Sequence, residues 1–181
     1  MKKICFIVFV AFVSCSKSDD DTFSEQDFTI SALVDGESFK SKGISDIFIH
    51  YEHLENGLYR LGIVASDDVE QLDRTKTILI SVLLTHPDYF GEGLVVTDTG
   101  DSRTLNPYSF YEEKDLDTEV KIVHANTERT RLSSFTITKL NTDDKVISGT
   151  FEFTGYDSNS GQFHQVEQGI FNNLRYIDST Q

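Results

Sequence analysis

The sequence predicts an all-β fold, an antiparallel β-sandwich or a partly closed barrel of about nine or ten short strands with little helix. From about residue 27 onward, apolar and polar residues alternate along most of the chain, which is the period of a half-buried strand. Turn sequences such as Asp35-Gly36 and Asn56-Gly57 separate the alternating segments, and Asn-Gly is a strong hairpin signal. Many short strands at hairpin spacing are typical of sandwiches and barrels.

The first half of the predicted domain contains two hairpins and one central strand. Asp35-Gly36 turns the first hairpin and Asn56-Gly57 turns the second. Residues 77–85 are apolar at both odd and even positions, which indicates a central strand buried on both faces. Residues 65–73 fit a short helix or a loop equally well, because capping residues open a segment of only a few residues. The strands predicted in this half cover 28–32, 37–40, 47–52, 59–63 and 77–85.

The final third of the chain has the clearest alternation. Phe135 and Ile137 alternate with threonines, and Phe151 and Phe153 alternate with polar residues, so these four side chains are predicted to lie in the core. Gly169 interrupts the last long apolar pattern, which predicts a bulge or a kink. The middle of the chain is irregular, with a predicted loop at 86–93, a brief strand at 94–97, a loop at 98–117 and a strand at 120–124.

The chain is strongly acidic, with a formal net charge of −14. Binding to nucleic acid depends on Lys and Arg neutralising phosphates, so this composition argues against a nucleic-acid partner. The charge is compatible with a solubilised surface, with divalent cations or with basic partners. The composition and length fit a single domain with a sizeable core, predicted to cover 28–178.

The N-terminus has the layout of a secretory signal peptide. Two lysines precede an apolar run at 4–13, and Ser14 and Cys15 follow it. The run is about ten residues, whereas a membrane-spanning helix needs roughly 20. Residues 12–15, Phe-Val-Ser-Cys, resemble the lipobox of bacterial lipoproteins, with Phe12 where leucine is usual. The resemblance implies that a signal peptide at 1–14 is removed and that acyl chains on Cys15 anchor the protein in the membrane.

The residues after Cys15 predict a location. Residues 16–21, Ser-Lys-Ser-Asp-Asp-Asp, resemble the surface-export signal of Bacteroidetes lipoproteins. The whole segment 15–27 also has the composition of a flexible acidic tether. The resemblance implies an outer-membrane lipoprotein exposed at the cell surface, and a periplasm-facing lipoprotein is the alternative.

Three segments of the final third form a short pattern: a threonine-rich strand at 134–138, then Ser-Gly-Thr-Phe-x-Phe within 146–154, then Gly-x-Phe within 169–174. This pattern resembles that of a family of uncharacterised Bacteroidetes lipoproteins, a domain of unknown function. The opening hairpin at 28–39 and Tyr89-Phe90-Gly91 also match its pattern. Because the function of the family is unknown, the resemblance implies no catalytic residue.

Metal-binding patterns are few. Asp157 and Asn159 alternate like the first oxygen ligands of a calcium loop, but glutamines stand where the EF-hand pattern needs its glycine and its last glutamate. The alternative is a simple turn, because Asp and Asn bond to their own backbone there. His50 and His53 would point to opposite faces of a strand and predict no zinc site. No cofactor is predicted.

Two groups of side chains in the irregular middle are candidates for ligand contact or chemistry. The aromatic residues could line a ligand groove or pack in the core. The carboxylates could supply the acid and base of glycoside hydrolysis or form a solvated run of charge. The aromatic candidates are Tyr89, Phe90, Tyr108, Phe110 and Tyr111, and the carboxylates are Glu112, Glu113, Asp115 and Asp117.

The sequence favours a lipid-anchored β-sandwich that binds an extracellular or envelope ligand without catalysis. No nucleophile elbow, metalloprotease motif or phosphate-binding loop is present in the sequence. Loops at one end of a rigid scaffold usually carry binding, so the predicted loops 86–93 and 98–117 are the expected site. The alternatives are a lipocalin-like carrier of a small apolar ligand in a barrel interior and a hydrolase of surface polymers that uses the loop carboxylates.

Overall fold

Strands make up most of the structure, a computed structural model of the chain. The described residues are 29–42, 47–67, 74–97, 103–130 and 133–180. The signal peptide predicted at 1–14, Cys15 and the tether at 15–27 lie outside these residues. Within the described ranges, no helix is long and apolar enough to cross a membrane, and a single 3-10 turn covers Pro87–Tyr89. The strands are β1 Thr29–Val34, β2 Glu37–Lys42, β3 Ile47–His53, β4 Tyr59–Ser66, β5 Arg74–Leu84, β6 Val95–Thr97, β7 Thr104–Asp115, β8 Lys121–Asn126, β9 Ser133–Asn141, β10 Val146–Asp157, β11 Phe163–Arg175 and β12 Ile177–Ser179.

The twelve strands of the described residues form one curled sheet with the shape of a half-barrel. The order along the sheet is β12-β3-β4-β5-β7-β8-β10-β11-β1-β2, while β9 pairs with β10 and β6 pairs with β9. Among the described pairs, only β12 with β3 is parallel. This architecture confirms the all-β prediction of a sandwich or partly closed barrel.

The concave face of the sheet holds one hydrophobic core, to which both halves of the sheet contribute. Every second residue is buried there along β1, along β5 from Ile78 and along β10 from Gly149, as the alternation predicted. Phe135 and Phe171 stack with their ring centroids 5.3 Å apart, and Phe151 and Phe153 lie in the same core as predicted. Burial of each such side chain contributes about 1.5–3 kcal/mol, so this face supplies most of the stability.

Both predicted hairpins are confirmed. In the β1–β2 turn, Asp35 has φ +52° and Gly36 has φ +86°, the left-handed pair that a two-residue type I′ turn requires. The β3–β4 turn contains Gly57 at φ +82°, and the Asn56 side-chain oxygen accepts a hydrogen bond from the Leu58 N–H at 3.2 Å. Local turn chemistry therefore sets where these strands reverse.

The glycines of β10 and β11 lie where another chain segment approaches closely. A Cβ on Gly149 would lie 2.0 Å from the Thr136 carbonyl oxygen, and one on Gly169 would lie 2.3 Å from the Phe151 carbonyl oxygen. The register of β10 with β11 shifts next to Gly169, where Gln168 has φ +53°. The bulge predicted at Gly169 is therefore confirmed.

One prediction about burial and one about strand placement are wrong. β5 is central, between β4 and β7, but only its inner residues are buried, because the outer face of this antiparallel half lies open to solvent. Residues 104–115 of the predicted loop 98–117 form β7, while 98–102 lie outside the described residues. Pro107 is typical of a loop, and it led to the wrong prediction. In β7 it lies where the β5–β7 register shifts, so the sheet tolerates its missing N–H.

The ambiguous segment 65–73 is only partly described. Ala65 and Ser66 end β4, and Asp67 accepts a hydrogen bond from the Lys76 N–H through its carboxylate at 2.9 Å. Residues 68–73 lie outside the described residues. The first two residues of the segment therefore belong to a strand.

Candidate functional site

The outer face of the sheet carries a row of mostly apolar side chains that crosses seven strands. Its members are cross-strand partners in the sheet register, and the first and last are 54% and 63% exposed. The five residues between these ends are half-buried, so apolar surface is most exposed at the two ends of the row. We call this row the outer band, and it consists of Phe48, Val64, Leu79, Phe110, Asn126, Tyr156 and Phe163.

One end of the outer band opens into a groove of about 330 Å³. Strands β3 and β7 form its two walls, and β4 and β5 form its floor. Because neighbouring strands lie about 4.8 Å apart, the two walls are about 14 Å apart at the backbone. We call this depression the outer groove, and it is lined by Phe48, His50, Glu52, Arg60, Gly62, Val64, Leu79, Ser81 and Tyr108.

The floor of the outer groove is lowest at Gly62. In the sheet register, Gly62 pairs with His50 on one side and with Ser81 on the other, and Ser81 pairs with Tyr108. No atom lies within 4 Å of an ideal Cβ on Gly62. The small residues Gly62 and Ser81 therefore lie side by side between the larger His50 and Tyr108. They leave space for a ligand about the size of a six-membered ring.

The charged groups of the outer groove are bonded to one another. The Arg60 Nε donates to the Glu52 Oε1 at 2.6 Å, and a second nitrogen of Arg60 contacts the same oxygen. His50 Nδ1 lies 3.5 Å from the Glu52 Oε2, and its Nε2 lies 2.9 Å from the Ser179 hydroxyl. Each charge at this end of the groove therefore has a neighbouring counter-charge, and the side chains are held in place.

The two aromatic residues of the outer groove pack against neighbouring rings, while two of its hydroxyl groups make no hydrogen bond within the ranges that the structure describes. Tyr108 packs edge-on against Phe110, with centroids 6.2 Å apart, and Phe48 lies 5.8 Å from the His50 ring. Burial raises the pKa of Tyr108 above its ordinary value, so its hydroxyl stays uncharged. Among the described residues, the hydroxyls of Ser81 and Tyr108 have no hydrogen-bond partner.

The structure separates the five aromatic residues that the sequence grouped as a possible ligand loop. Tyr108 and Phe110 point outward from β7, in the outer groove and the outer band respectively. Tyr111 points inward and is 1% exposed, and its hydroxyl donates to the Glu113 Oε1 at 2.5 Å. Placing these three residues in a loop was therefore wrong, and Tyr111 is a core residue.

The 86–93 loop places its two aromatic residues differently. Phe90 stacks on Tyr51 with centroids 4.1 Å apart and meets Tyr176 edge-on at 5.3 Å, so it packs against the core. Tyr89 is exposed and lies 5.9 Å from the His86 ring. Within this loop, Tyr89 is thus the ring that faces solvent, while Phe90 anchors the loop to the sheet.

Asp157 and Asn159 form a turn in the structure. The Asp157 carboxylate accepts hydrogen bonds from the Asn159 N–H at 3.0 Å and from the Ser160 hydroxyl at 2.7 Å. Burial alone would raise the pKa of Asp157, but these hydrogen bonds hold it below its ordinary value. Across the described residues, no three His, Cys, Asp or Glu side chains are grouped so as to hold a metal ion.

Three of the four carboxylates proposed for hydrolysis, Glu112, Glu113 and Asp115, are engaged in other contacts. Glu112 points outward and contacts Lys121 at 2.6 Å and His124 at 3.0 Å. Glu113, its neighbour in β7, lies on the opposite face of the strand. Asp115 accepts hydrogen bonds from the N–H groups of residues 117 and 118, which lowers its pKa. The structure therefore does not bring Glu112 and Glu113 together as a pair, and Asp115 has a structural role in the turn that contains Asp117.

The outer groove contains residues that sequence reasoning did not select, namely Glu52, Arg60, Gly62 and Ser81. Alternation in the second hairpin does predict which of them point outward. That the β3–β4 hairpin lies beside β5 and β7 depends on the sheet order. His53 lies on the opposite face from His50, as predicted, and stacks on Tyr59 at 4.7 Å.

Comparisons of the chain with protein-family models, with curated proteins and with solved structures found no match. Function is therefore inferred from the chemistry of the outer groove itself. Its apolar floor, aromatic walls and few fixed polar groups are the usual composition of a small-ligand site. Its Glu52 and Arg60 side chains are bonded to each other and His50 lies beside Glu52, so the polar groups of the groove are held in fixed positions.

Proposed function

We propose that the protein is a lipid-anchored, non-catalytic binding protein of the bacterial cell envelope that holds its ligand in the outer groove. The observation that carries this proposal is the groove on the outer face, where Gly62 and Ser81 form a low floor between the walls of β3 and β7. The groove is built on four neighbouring strands of one sheet. A site on strands is held more rigidly than a site on loops, which suits recognition of a defined ligand.

The sequence supports the location in this proposal. The lipobox-like residues 12–15 provide Cys15 for acylation, and the acidic tether 15–27 separates the domain from the membrane. The similarity to Bacteroidetes lipoproteins supports an outer-membrane location with exposure at the cell surface. Because the outer groove faces away from the core, ligands outside the cell can reach it.

Binding by the interior is supported less well. A lipocalin-like carrier needs an empty interior, whereas the concave face of this sheet is occupied by mutually contacting side chains such as Phe135 and Phe171. Hydrolysis by Glu112 and Glu113 would need the two carboxylates to flank one bond. Their positions on opposite faces of β7 favour binding over that reaction.

The test of the groove uses Gly62→Val in the full chain. Because the space above Gly62 is empty and valine suits a strand, the variant should fold as stably as the wild type while its side chains fill the groove floor. Thermal shifts are measured for both proteins against one library of small molecules and soluble glycans. We expect compounds that stabilise the wild type and not Gly62→Val. Equal stabilisation of both proteins by every active compound would overturn the groove as the site.

The test of the anchor is protease treatment of intact cells that carry the wild type or Cys15→Ala. We expect the wild type to fractionate with membranes and to be cleaved on intact cells, and we expect Cys15→Ala to be released in soluble form. Cleavage of the wild type only after cell lysis would place the domain in the periplasm. Membrane association of Cys15→Ala equal to that of the wild type would contradict lipid anchoring.

A further inference from the structure

We infer that the outer groove recognises an uncharged carbohydrate, with a sugar ring lying over Gly62 and Ser81 between the β3 wall and Tyr108. This inference rests on the proposed binding function and adds the chemical class of the ligand. Three properties of the groove lead to it, namely its paired charges, the aromatic rings on its two walls, and hydroxyl groups that make no hydrogen bond within the described part of the chain.

The paired charges favour an uncharged ligand. The Glu52 carboxylate lies against Arg60 and near His50, so an anionic ligand would have to compete with Glu52 for Arg60. A cationic ligand would have to compete with Arg60 for Glu52. On the far side of Phe110, Glu112 is likewise bonded to Lys121 and His124. Because a charged ligand would have to displace a partner that is already in place, for a pair that contributes only a modest free energy at the surface, a neutral molecule fits this groove best.

The aromatic rings on the two walls favour a ligand with a flat apolar face. The walls are about 14 Å apart at the backbone. Phe48 lines the groove from β3 and Tyr108 lines it from β7, in neighbouring cross-strand rows. Aromatic faces carry partial negative charge, and they attract the weakly positive C–H groups on the face of a pyranose. The floor at Gly62 adds the depth that such a ring needs, because no side chain lies above it.

The hydroxyl groups distinguish a sugar from a purely apolar ring. Ser81 and Tyr108 have hydroxyls without a partner in the described part of the chain, and a hydrocarbon would bury them unsatisfied at a cost. A sugar hydroxyl both donates and accepts hydrogen bonds, so it can form a hydrogen bond with the Ser81 hydroxyl on the groove floor. The Glu52–Arg60 pair, which is half exposed on its Arg60 side, presents an acceptor and a donor side by side, as two neighbouring sugar hydroxyls require.

The binding experiment uses the purified full chain with Cys15 replaced by Ser, so that no acyl chain is attached. The probes are an array of neutral glycans that includes maltohexaose, cellohexaose, laminarihexaose, mannohexaose and xylohexaose. Hexagalacturonate serves as the charged comparator and naphthol as the apolar one. Calorimetry gives Kd for each positive probe. We expect at least one neutral glycan to bind and hexagalacturonate not to bind.

The variants show whether the groove makes the contact. Tyr108→Ala removes one stacking face and should weaken glycan binding about tenfold. Ser81→Ala should weaken it about threefold to tenfold while leaving any binding of naphthol unchanged, because only the hydroxyl is lost. The matched control is Phe163→Ala, which removes an exposed ring of the outer band outside the groove and should leave Kd unchanged.

The outcomes separate this inference from the proposed function. If naphthol or hexagalacturonate binds in a manner that Gly62→Val abolishes and no glycan binds, the groove is a binding site but the carbohydrate inference is wrong. A glycan that binds equally to the wild type, Tyr108→Ala and Gly62→Val would also overturn it. If no probe and no library compound depends on Gly62, both the inference and the proposed groove function fail.

Discussion

The outer groove and the inner core both depend on strand glycines, but for opposite reasons. On the outer face, nothing lies within 4 Å of a Cβ on Gly62, so the missing side chain leaves open space. On the inner face, the place of a Cβ on Gly149 is already filled by the Thr136 carbonyl oxygen at 2.0 Å and the Phe171 ring at 2.3 Å. The missing side chain thus creates a depression in one region and permits close packing in the other.

This difference shows how one residue type can mark stability or function. Gly149 and Gly169 let aromatic rings of the core lie directly on the backbone of a neighbouring strand. Gly62 has no such neighbour and weakens its strand slightly, since glycine gives up more conformational freedom than alanine. A position that lowers stability without serving packing is a candidate for function, which agrees with the proposed role of the outer groove.

The largest expected effect of a substitution is in the core at Phe171. Phe171→Ala removes a ring that is 1% exposed and stacks on Phe135, and it should destabilise the fold by about 3–5 kcal/mol. Urea unfolding followed by circular dichroism measures the change. Phe163→Ala, an exposed phenylalanine in the same strand, is the control and should change stability by less than about 0.5 kcal/mol. Similar losses for both variants would contradict the assignment of the two faces.

The next effect is overpacking at Gly149. Gly149→Ala places a methyl group against the Thr136 carbonyl oxygen and the Phe171 ring, and the fold should lose about 1–3 kcal/mol, as overpacked cores do. Equilibrium unfolding of the variant beside the wild type gives the value. A neutral or stabilising result would show that β9 can move away from β10 without cost.

Asp157 should make stability depend on pH in the acid range. Its pKa is lowered in the folded protein, so its stabilisation is complete above the ordinary pKa of 3.8 and is lost as the pH falls through the lower folded value. Asp157→Asn should cost about 1–2 kcal/mol at neutral pH and progressively less below pH 3.8. Unfolding midpoints across this range measure the difference, with exposed Asp143→Asn as control. A constant difference at all pH values would contradict the role of the carboxylate.

The smallest effect has the opposite sign and occurs at Gly62. Gly62→Ala should stabilise the fold by about 0.5–1 kcal/mol, because alanine restricts the unfolded chain and meets no neighbour here. Thermal unfolding of this variant, compared with Gly149→Ala, tests the contrast between the two regions directly. Destabilisation by both alanines would remove the distinction between an open and a filled glycine.

Much of the fold follows from short-range sequence pattern, and the candidate site does not. Asp35-Gly36 and Asn56-Gly57 predicted the two hairpins, because these residues adopt positive φ easily. Gly169 predicted the bulge in β11 for a similar local reason. The prediction failed for β7, whose Pro107 and run of carboxylates are typical of a loop. In the sheet, the carboxylates of β7 contact positively charged side chains of neighbouring strands, such as Arg74 for Glu113, and these contacts stabilise the strand.

The sequence by itself determined the all-β class, the main turns and the face on which most strand residues lie, because alternation and turn chemistry are properties of neighbouring residues. Only the tertiary structure decided that β7 lies beside β5 and that His50, Gly62, Ser81 and Tyr108 form one row. These residues come from four different strands, and pairing between distant strands is set by the packing of the whole inner face. The groove exists because the residues that fill the core on one face bring those four strands together on the other.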